Sequence, residues 1–255
     1  MRASAHDRTL LWDGCLNVRD LGGHPTQDGG QTRFGAIVRG DSPRQLSDAG
    51  WETVVSYGIQ TIVDLRFRDE VDADPPRELP VDVVHVSLLG EGVATNADAW
   101  AAVAAAAEAA PSGAAATQAV YLEFLERFRP RFGEAIAAIA DAPDGALLIH
   151  CQGGKDRAGL IAALLLRLVG VDIDEIADDY ALSADNLRPQ FQAWLDDAPD
   201  AEERARRERI SATPREAMAG VLEELEKRYG SVREYLLAAG ATEAQLDRAA
   251  ARLRA

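Results

Sequence analysis

Little in this sequence invites a disulfide, a metal or a membrane. Its 255 residues include 2 cysteines, Cys15 and Cys151, too few for a disulfide framework, which fits a reducing compartment. The carboxylate run Asp178-Asp179-Tyr180 has no histidine beside it; it reads as a solvated helix face, and no metal site is expected. No apolar run approaches the roughly 20 residues of a membrane helix, so no stable membrane insertion is expected. Met1 to Asp13 lacks the continuous apolar core of a secretory leader. A cytoplasmic location is therefore the expectation. Positive charge is also short: 27 Lys and Arg stand against 42 Asp and Glu, a net −15. That argues against nucleic acid and against general attraction to anionic lipid, while leaving room for a local basic pocket. Aromatics make up only 6%, so many helices must pack through alanine and leucine. Repeats and linkers are absent too, and one domain over residues 1–255 is the simplest organisation.

What is present centres on Ile149-His150-Cys151-Gln152-Gly153-Gly154-Lys155-Asp156-Arg157-Ala158-Gly159. The apolar run Ala146 to Ile149 leads in and predicts a short buried strand. Leu160 to Val169 follows and predicts a buried helix stopped by Gly170. A cysteine thus ends a strand, and a glycine-bearing loop carries it to a helix N-terminus. Backbone N–H groups of such a turn make an anion cradle, and the helix dipole adds positive potential. The same field favours a thiolate over a neutral thiol. Gly153 and Gly154 allow close approach to a ligand. Arg157 can fold back over the loop, where its planar fork matches two phosphoryl oxygens. A nucleotide P-loop is excluded, since Ile149 stands where the first glycine belongs and Asp156 follows Lys155 in place of Ser or Thr.

His150-Cys151-x5-Arg157 resembles the signature of the cysteine-dependent protein tyrosine phosphatase superfamily. The fuller Gly154-Lys155-Asp156-Arg157-x-Gly159 core resembles a narrower group of bacterial tyrosine phosphatases that also act on phosphoinositides, including secreted mycobacterial and Listeria enzymes. Asn17-x-Arg19-Asp20-Leu21-Gly22-Gly23, Arg39-Gly40-Asp41 and Asp64-Leu65-Arg66…Glu70 resemble further elements of that group. So does the C-terminal Thr213-Pro214…Tyr229-Gly230…Gly240, where Thr213 reads as a helix cap and Pro214 as a helix-starting proline. The resemblance implies an α/β fold with a central, mostly parallel sheet flanked by helices and a helical lid. The Ala-rich stretch from residue 91 to about 130 is where that lid is expected, with Thr117 capping its second helix. A helical C-terminal part should run from about 172 to 255. The family also leaves open export without a cleaved leader.

The resemblance and the loop's physics imply the same chemistry, a phosphomonoester hydrolase, most simply a protein tyrosine or dual-specificity phosphatase with phosphoinositide activity open to it. Cys151 attacks phosphorus as a thiolate, and Arg157 with the N–H groups of residues 152–158 holds the equatorial oxygens. No cofactor or metal is required. The expected partner is a phosphorylated protein or phosphoinositide, with a phosphate-like anion in the loop formed by Gln152, Gly153, Gly154, Lys155, Asp156, Arg157 and Ala158. Lys155 suits a second phosphate. Ala158 departs from the usual Ser or Thr, removing a hydroxyl that helps the cysteine leave. Two rival classes stay open: a phospho-ligand binding module with weak turnover, and a rhodanese-like sulfurtransferase. Self-association is left open. For the general acid there are two candidates. Arg157 beside Asp156 favours its ionised form, a poorer acid, whereas Asp64 at the end of a neighbouring strand escapes that if it is partly desolvated. Asp64 is the preferred acid on this argument. Asn17, Arg19, Arg39, Arg66 and Glu70 read as structural at least as readily as functional.

Overall fold

Burial decides where the sheet's centre lies. The computed structural model describes residues 8–74 and 81–254; residues 1–7, most of the stretch read above for a leader, fall outside it. Among the described residues the strands are β1 (Arg19–Asp20), β2 (Ile37–Gly40), β3 (Ile59–Asp64), β4 (Asp82–His85) and β5 (Ala146–His150). They form one sheet in the order β1-β2-β5-β3-β4, with β1 antiparallel to β2 and every other neighbour parallel. Central β5 is buried throughout. Its side chains alternate between two cores, as the two-residue period of a strand requires. Leu147 and Ile149 join Ile37 and Val63 on one face; Ala146 and Leu148 join Val38, Ile62 and Trp51 on the other. Each such aliphatic side chain contributes about 1.5–3 kcal/mol when fully buried. A one-residue slip would expose all of them to the wrong face, so packing fixes where Cys151 emerges.

Helices cover both faces. Those between the strands are α1 (Asp48–Ser56), α2 (Arg68–Asp72), α3 (Ala97–Ala109), α4 (Gly113–Arg127) and α5 (Arg129–Asp141). After β5 come α6 (Arg157–Leu168), α7 (Ile173–Asn186), α8 (Arg188–Asp196) and α9 (Ala201–Ser211). The chain closes with α10 (Arg215–Tyr229), α11 (Val232–Ala238) and α12 (Glu243–Leu253). Ten of the twelve residues of α6, Arg157 to Leu166, are buried, which matches its almost unbroken apolar sequence. Among the described residues no helix is long and apolar enough to cross a membrane.

Three local expectations are corrected. The second lid helix starts five residues early, because Ser112 rather than Thr117 accepts the capping N–H, from Ala115, and the alanines that follow propagate a helix readily. Thr117 instead bonds back to the carbonyl of Gly113 inside the helix. Thr213 does not cap α10; its hydroxyl donates to the carbonyl of Ala181. Asp179 is not on a solvated face: it is 1% exposed, while its neighbour Asp178 does lie outside and takes Arg215.

Candidate active site

Residues 151–156 bridge β5 and α6, and their carbonyls are pinned from outside one after another. The His150 ring bonds the carbonyl of Cys151 at 3.2 Å. The N–H of Ser42 bonds that of Gln152 at 3.1 Å. Asn17 Nδ2 bonds that of Gly153 at 2.9 Å. Arg39 Nη2 bonds those of Gly154 at 2.7 Å and Lys155 at 3.3 Å. Every described peptide bond is trans, so each N–H points away from the carbonyl of its own peptide unit. Pinning five successive carbonyls outward therefore turns the N–H groups of Gln152, Gly153, Gly154, Lys155 and Asp156 inward. That is an anion cradle derived from its outside. Gly154 must be glycine: its φ is +66°, and a Cβ there would lie 2.5 Å from the carbonyl of Gly40.

The pins share a buried ionic network. Arg19 holds Asp179 through Nε at 3.0 and 3.1 Å, and Arg39 holds it at 3.1 Å. Arg19 also fixes Asn17 Oδ1 at 2.7 Å, which aims Nδ2 at the loop. Burial opposes the charge on Asp179, but Arg19 and Arg39 outweigh it and hold the carboxyl far below the usual range. Burial, then Arg19, lowers Arg39 to about 10. Two guanidiniums share one carboxylate, so an excess positive charge lies directly behind the cradle.

Arg157 opens α6 and lies over the Phe67 ring at 4.9 Å. Its two terminal nitrogens grip Glu70 at 2.5 and 3.0 Å. This end-on pairing leaves the side-on edge, Nε with one Nη, for a phosphoryl group. Burial pushes Glu70 up, but the hydrogen bonds and charge of Arg157 pull it below the usual carboxylate range. Sequence reasoning set Glu70 aside as structural; only its place in the family-like Asp64…Glu70 element pointed to it.

The two acid candidates stand differently from what their sequence context promised. Asp64 is 3% exposed and paired with Arg66 through Nε at 3.0 Å and Nη2 at 2.7 Å. Burial raises it, yet His150 and Arg66 win and hold it below the usual range. The partial desolvation that favoured Asp64 as acid is thus cancelled by its own neighbours. The charge of Arg157, expected from sequence to bear on its neighbour Asp156, is engaged by Glu70. Asp156 accepts from the Tyr121 hydroxyl at 2.5 Å and keeps a side chain 44% exposed.

Asp156, Lys155 and Arg157 line a cavity of about 650 Å³. Its walls are Phe67, Leu89, Trp100, Val120, Tyr121 and Phe124, largely from α3 and α4, the expected lid pair. Trp100 anchors α3 by packing on Phe67 at 5.8 Å and Phe124 at 5.5 Å. Arg206 and Arg209 of α9, from a stretch whose interleaved arginines and glutamates suit a solvated helix, reach the same cavity. The Lys155 ammonium bonds the carbonyls of Ile210 and Ala212, the latter at 3.3 Å, so the end of α9 already holds it. Gln152 lines a separate cavity of about 230 Å³ beside Asp41 and Gln190. Gly153 faces Leu187, and Ala158 is fully buried. Cys151 is 2% exposed, and both Arg157 and Arg39 lie within electrostatic reach of it. Cys15 bonds the carbonyl of Ser42 at 3.7 Å, and burial followed by Asp41 pushes its thiol far up.

Residues 10–255 match the profile of the tyrosine phosphatase family. A tyrosine-protein phosphatase of Nostoc commune is 31% identical over 234 residues, covering 86% of this chain and 74% of the relative. The triple specificity protein phosphatase PtpB of Mycobacterium tuberculosis is 28% identical over 267 aligned positions, covering 92% of this chain and 95% of that protein.

Proposed function

The chain belongs to the tyrosine phosphatase family and is a phosphatase, and from that premise we propose that it hydrolyses phosphomonoesters through a phosphocysteine on Cys151. The observation that carries this is the row of five outward-pinned carbonyls, which turns the loop N–H groups onto one point beside a buried cysteine. Cys151 Sγ attacks phosphorus as a thiolate. An S–P bond forms, and the P–O bond to the leaving group breaks. Its electron pair goes to that oxygen, which takes a proton from Asp156. The inward N–H groups and the free edge of Arg157 hold the equatorial oxygens, where charge collects in the transition state. Water then attacks phosphorus, Asp156 takes its proton, and the S–P bond breaks to restore the thiolate. Asp156 is the acid in this reading because it lines the cavity, whereas Asp64 is closed off by Arg66.

The aromatic walls favour an aryl leaving group, hence phosphotyrosine. A phosphoinositide headgroup is the second substrate reading, carried by Lys155, Arg206 and Arg209 at the same cavity. A purified chain should hydrolyse a generic aryl phosphate, and Cys151→Ser should abolish this while leaving phosphate binding measurable. Binding with no turnover in the wild type would instead make the loop a phospho-ligand socket. A panel of phosphotyrosine, phosphoserine and phosphoinositide substrates orders the specificity.

A further inference from the structure

Tyr121 stands apart from the other cavity-lining side chains because it is polar, 2% exposed and bonded to the proposed acid. It belongs to α4, the second helix of the lid pair. Its hydroxyl has one proton and meets two oxygens, Asp156 Oδ1 at 2.5 Å and the Tyr180 hydroxyl at 2.8 Å. Carboxylate Oδ1 offers no proton, so Tyr121 donates to it, and Tyr180 must then donate to Tyr121. Burial and the charge of Asp156 push both phenols well above their ordinary value, so each keeps its proton. The Lys155 ammonium approaches the same oxygen, 3.4 Å from Oδ1. A hydrogen bond from Tyr121 and the nearby ammonium charge of Lys155 disfavour a proton on Oδ1. When Asp156 is protonated, the proton sits on Oδ2.

We infer that Tyr121 is the positioning residue for the general acid: with Lys155 it reserves Oδ1, so that Asp156 presents its proton on Oδ2 to the leaving oxygen. This rests on the reading of Asp156 as the acid. Because Tyr121 is carried by α4, the acid is aligned only while that helix is seated over the loop. Proton delivery and closure of the cavity are then one event. Tyr180, 1% exposed on α7, braces Tyr121 from behind.

The test is a leaving-group series, because a loosened lid would hurt all substrates alike and a misaligned acid would not. Steady-state kcat/KM is measured for phenyl phosphate, a poor leaving group, and dinitrophenyl phosphate, an activated one. General acid catalysis contributes about 10²–10⁴-fold. Tyr121→Phe, which removes the hydroxyl and keeps the ring, should lower phenyl phosphate turnover by about tenfold to a hundredfold, a share of that term, and the loss should shrink to about twofold with dinitrophenyl phosphate. Tyr180→Phe should show the same pattern in weaker form, and it carries the test if Tyr121→Phe does not fold. In an Asp156→Asn background, Tyr121→Phe should add nothing for phenyl phosphate. Equal losses on both substrates, or none, overturn the inference. If Asp156→Asn discriminates between the substrates and Tyr121→Phe does not, only the positioning role falls. If Asp156→Asn itself fails to discriminate, the acid assignment falls and takes the positioning role with it.

Discussion

Glu70→Gln perturbs one contact with a calculable reach. Glu70 holds both terminal nitrogens of Arg157, and Glu70 Oε2 also accepts the N–H of Phe67 at 2.7 Å. The amide keeps the shape but loses the charge, and its NH2 faces a donor wherever it turns. Arg157 then keeps at most one neutral hydrogen bond to the amide oxygen, beside its contact with the Phe67 ring. An arginine has about 2 kcal/mol of rotamer entropy, and re-ordering it in the transition state converts to a loss of about 10–30-fold in kcat/KM at most. The contact with Phe67 trims that figure. The ground-state effect has the opposite sign. An Arg157 relieved of its carboxylate is a stronger anion binder, so inhibition by inorganic phosphate should not weaken. The assay is kcat/KM on an aryl phosphate beside phosphate inhibition, for Glu70→Gln, Arg157→Ala and the double variant. The double variant should be no worse than Arg157→Ala alone, since Glu70 reaches the substrate through the arginine. Wild-type kcat/KM in Glu70→Gln refutes the reasoning, and so does additive loss in the double variant.

Iodoacetate near neutral pH should alkylate Cys151 much faster than Cys15, although Cys151 is the more buried thiol, and vanadate should protect it; equal rates would refute this. Hydrogen exchange across α3 and α4 should slow when vanadate binds, and unchanged exchange would make them fixed packing helices. His24 has no solvent exposure and is lowered to about 4, first by burial, despite Asp179 at 3.8 Å. The unfolded chain takes up that proton from about pH 6.5, whereas the folded chain resists it down to about 4, so stability is lost as pH falls through this window, by about 2 kcal/mol at pH 5. For a chain of this size that is a Tm lower by about 4–8 °C at pH 5 than at pH 7. Calorimetry should show the slope reduced in His24→Asn, with the buried His150, lowered in the same sense, supplying a remainder. An undiminished slope in His24→Asn would exclude His24 as its source.

The parts of the fold that can be read from sequence are those set by local pattern. Ala146 to His150 and Arg157 to Leu168 are found as strand and helix because their apolar runs admit few other structures. So is the capped α1, where Ser47 accepts the N–H of Gly50. The phosphate loop follows from the same stretch. What escaped were pairings between residues far apart in the chain. Arg39 and Asp179 are 140 positions apart, and Arg157 and Glu70 are 87. No local periodicity encodes which arginine meets which carboxylate; packing of the helices on the sheet decides it. Asp64 shows the consequence. Its place at the end of a central strand marked it as an acid, and Arg66, two residues on, folded back and closed it. The reach of α9 into the cavity was hidden likewise, since Arg206 and Arg209 sit in a sequence as polar as any solvated helix.

The pinned carbonyls bear on how fast each part of the molecule responds to a ligand. A loop whose peptide planes are fixed in advance has almost nothing left to order when an anion arrives, so its association is limited by diffusion and steering rather than by rearrangement. The roof over it is built differently, from an alanine-rich helix that packs through Trp100 and Val103, and lid motions in general run on the microsecond-to-millisecond scale. On the reading of α3 and α4 as a lid, one binding event carries two clocks: a fast one for capture of the phosphoryl group, and a slower one for the seating of Tyr121 over Asp156.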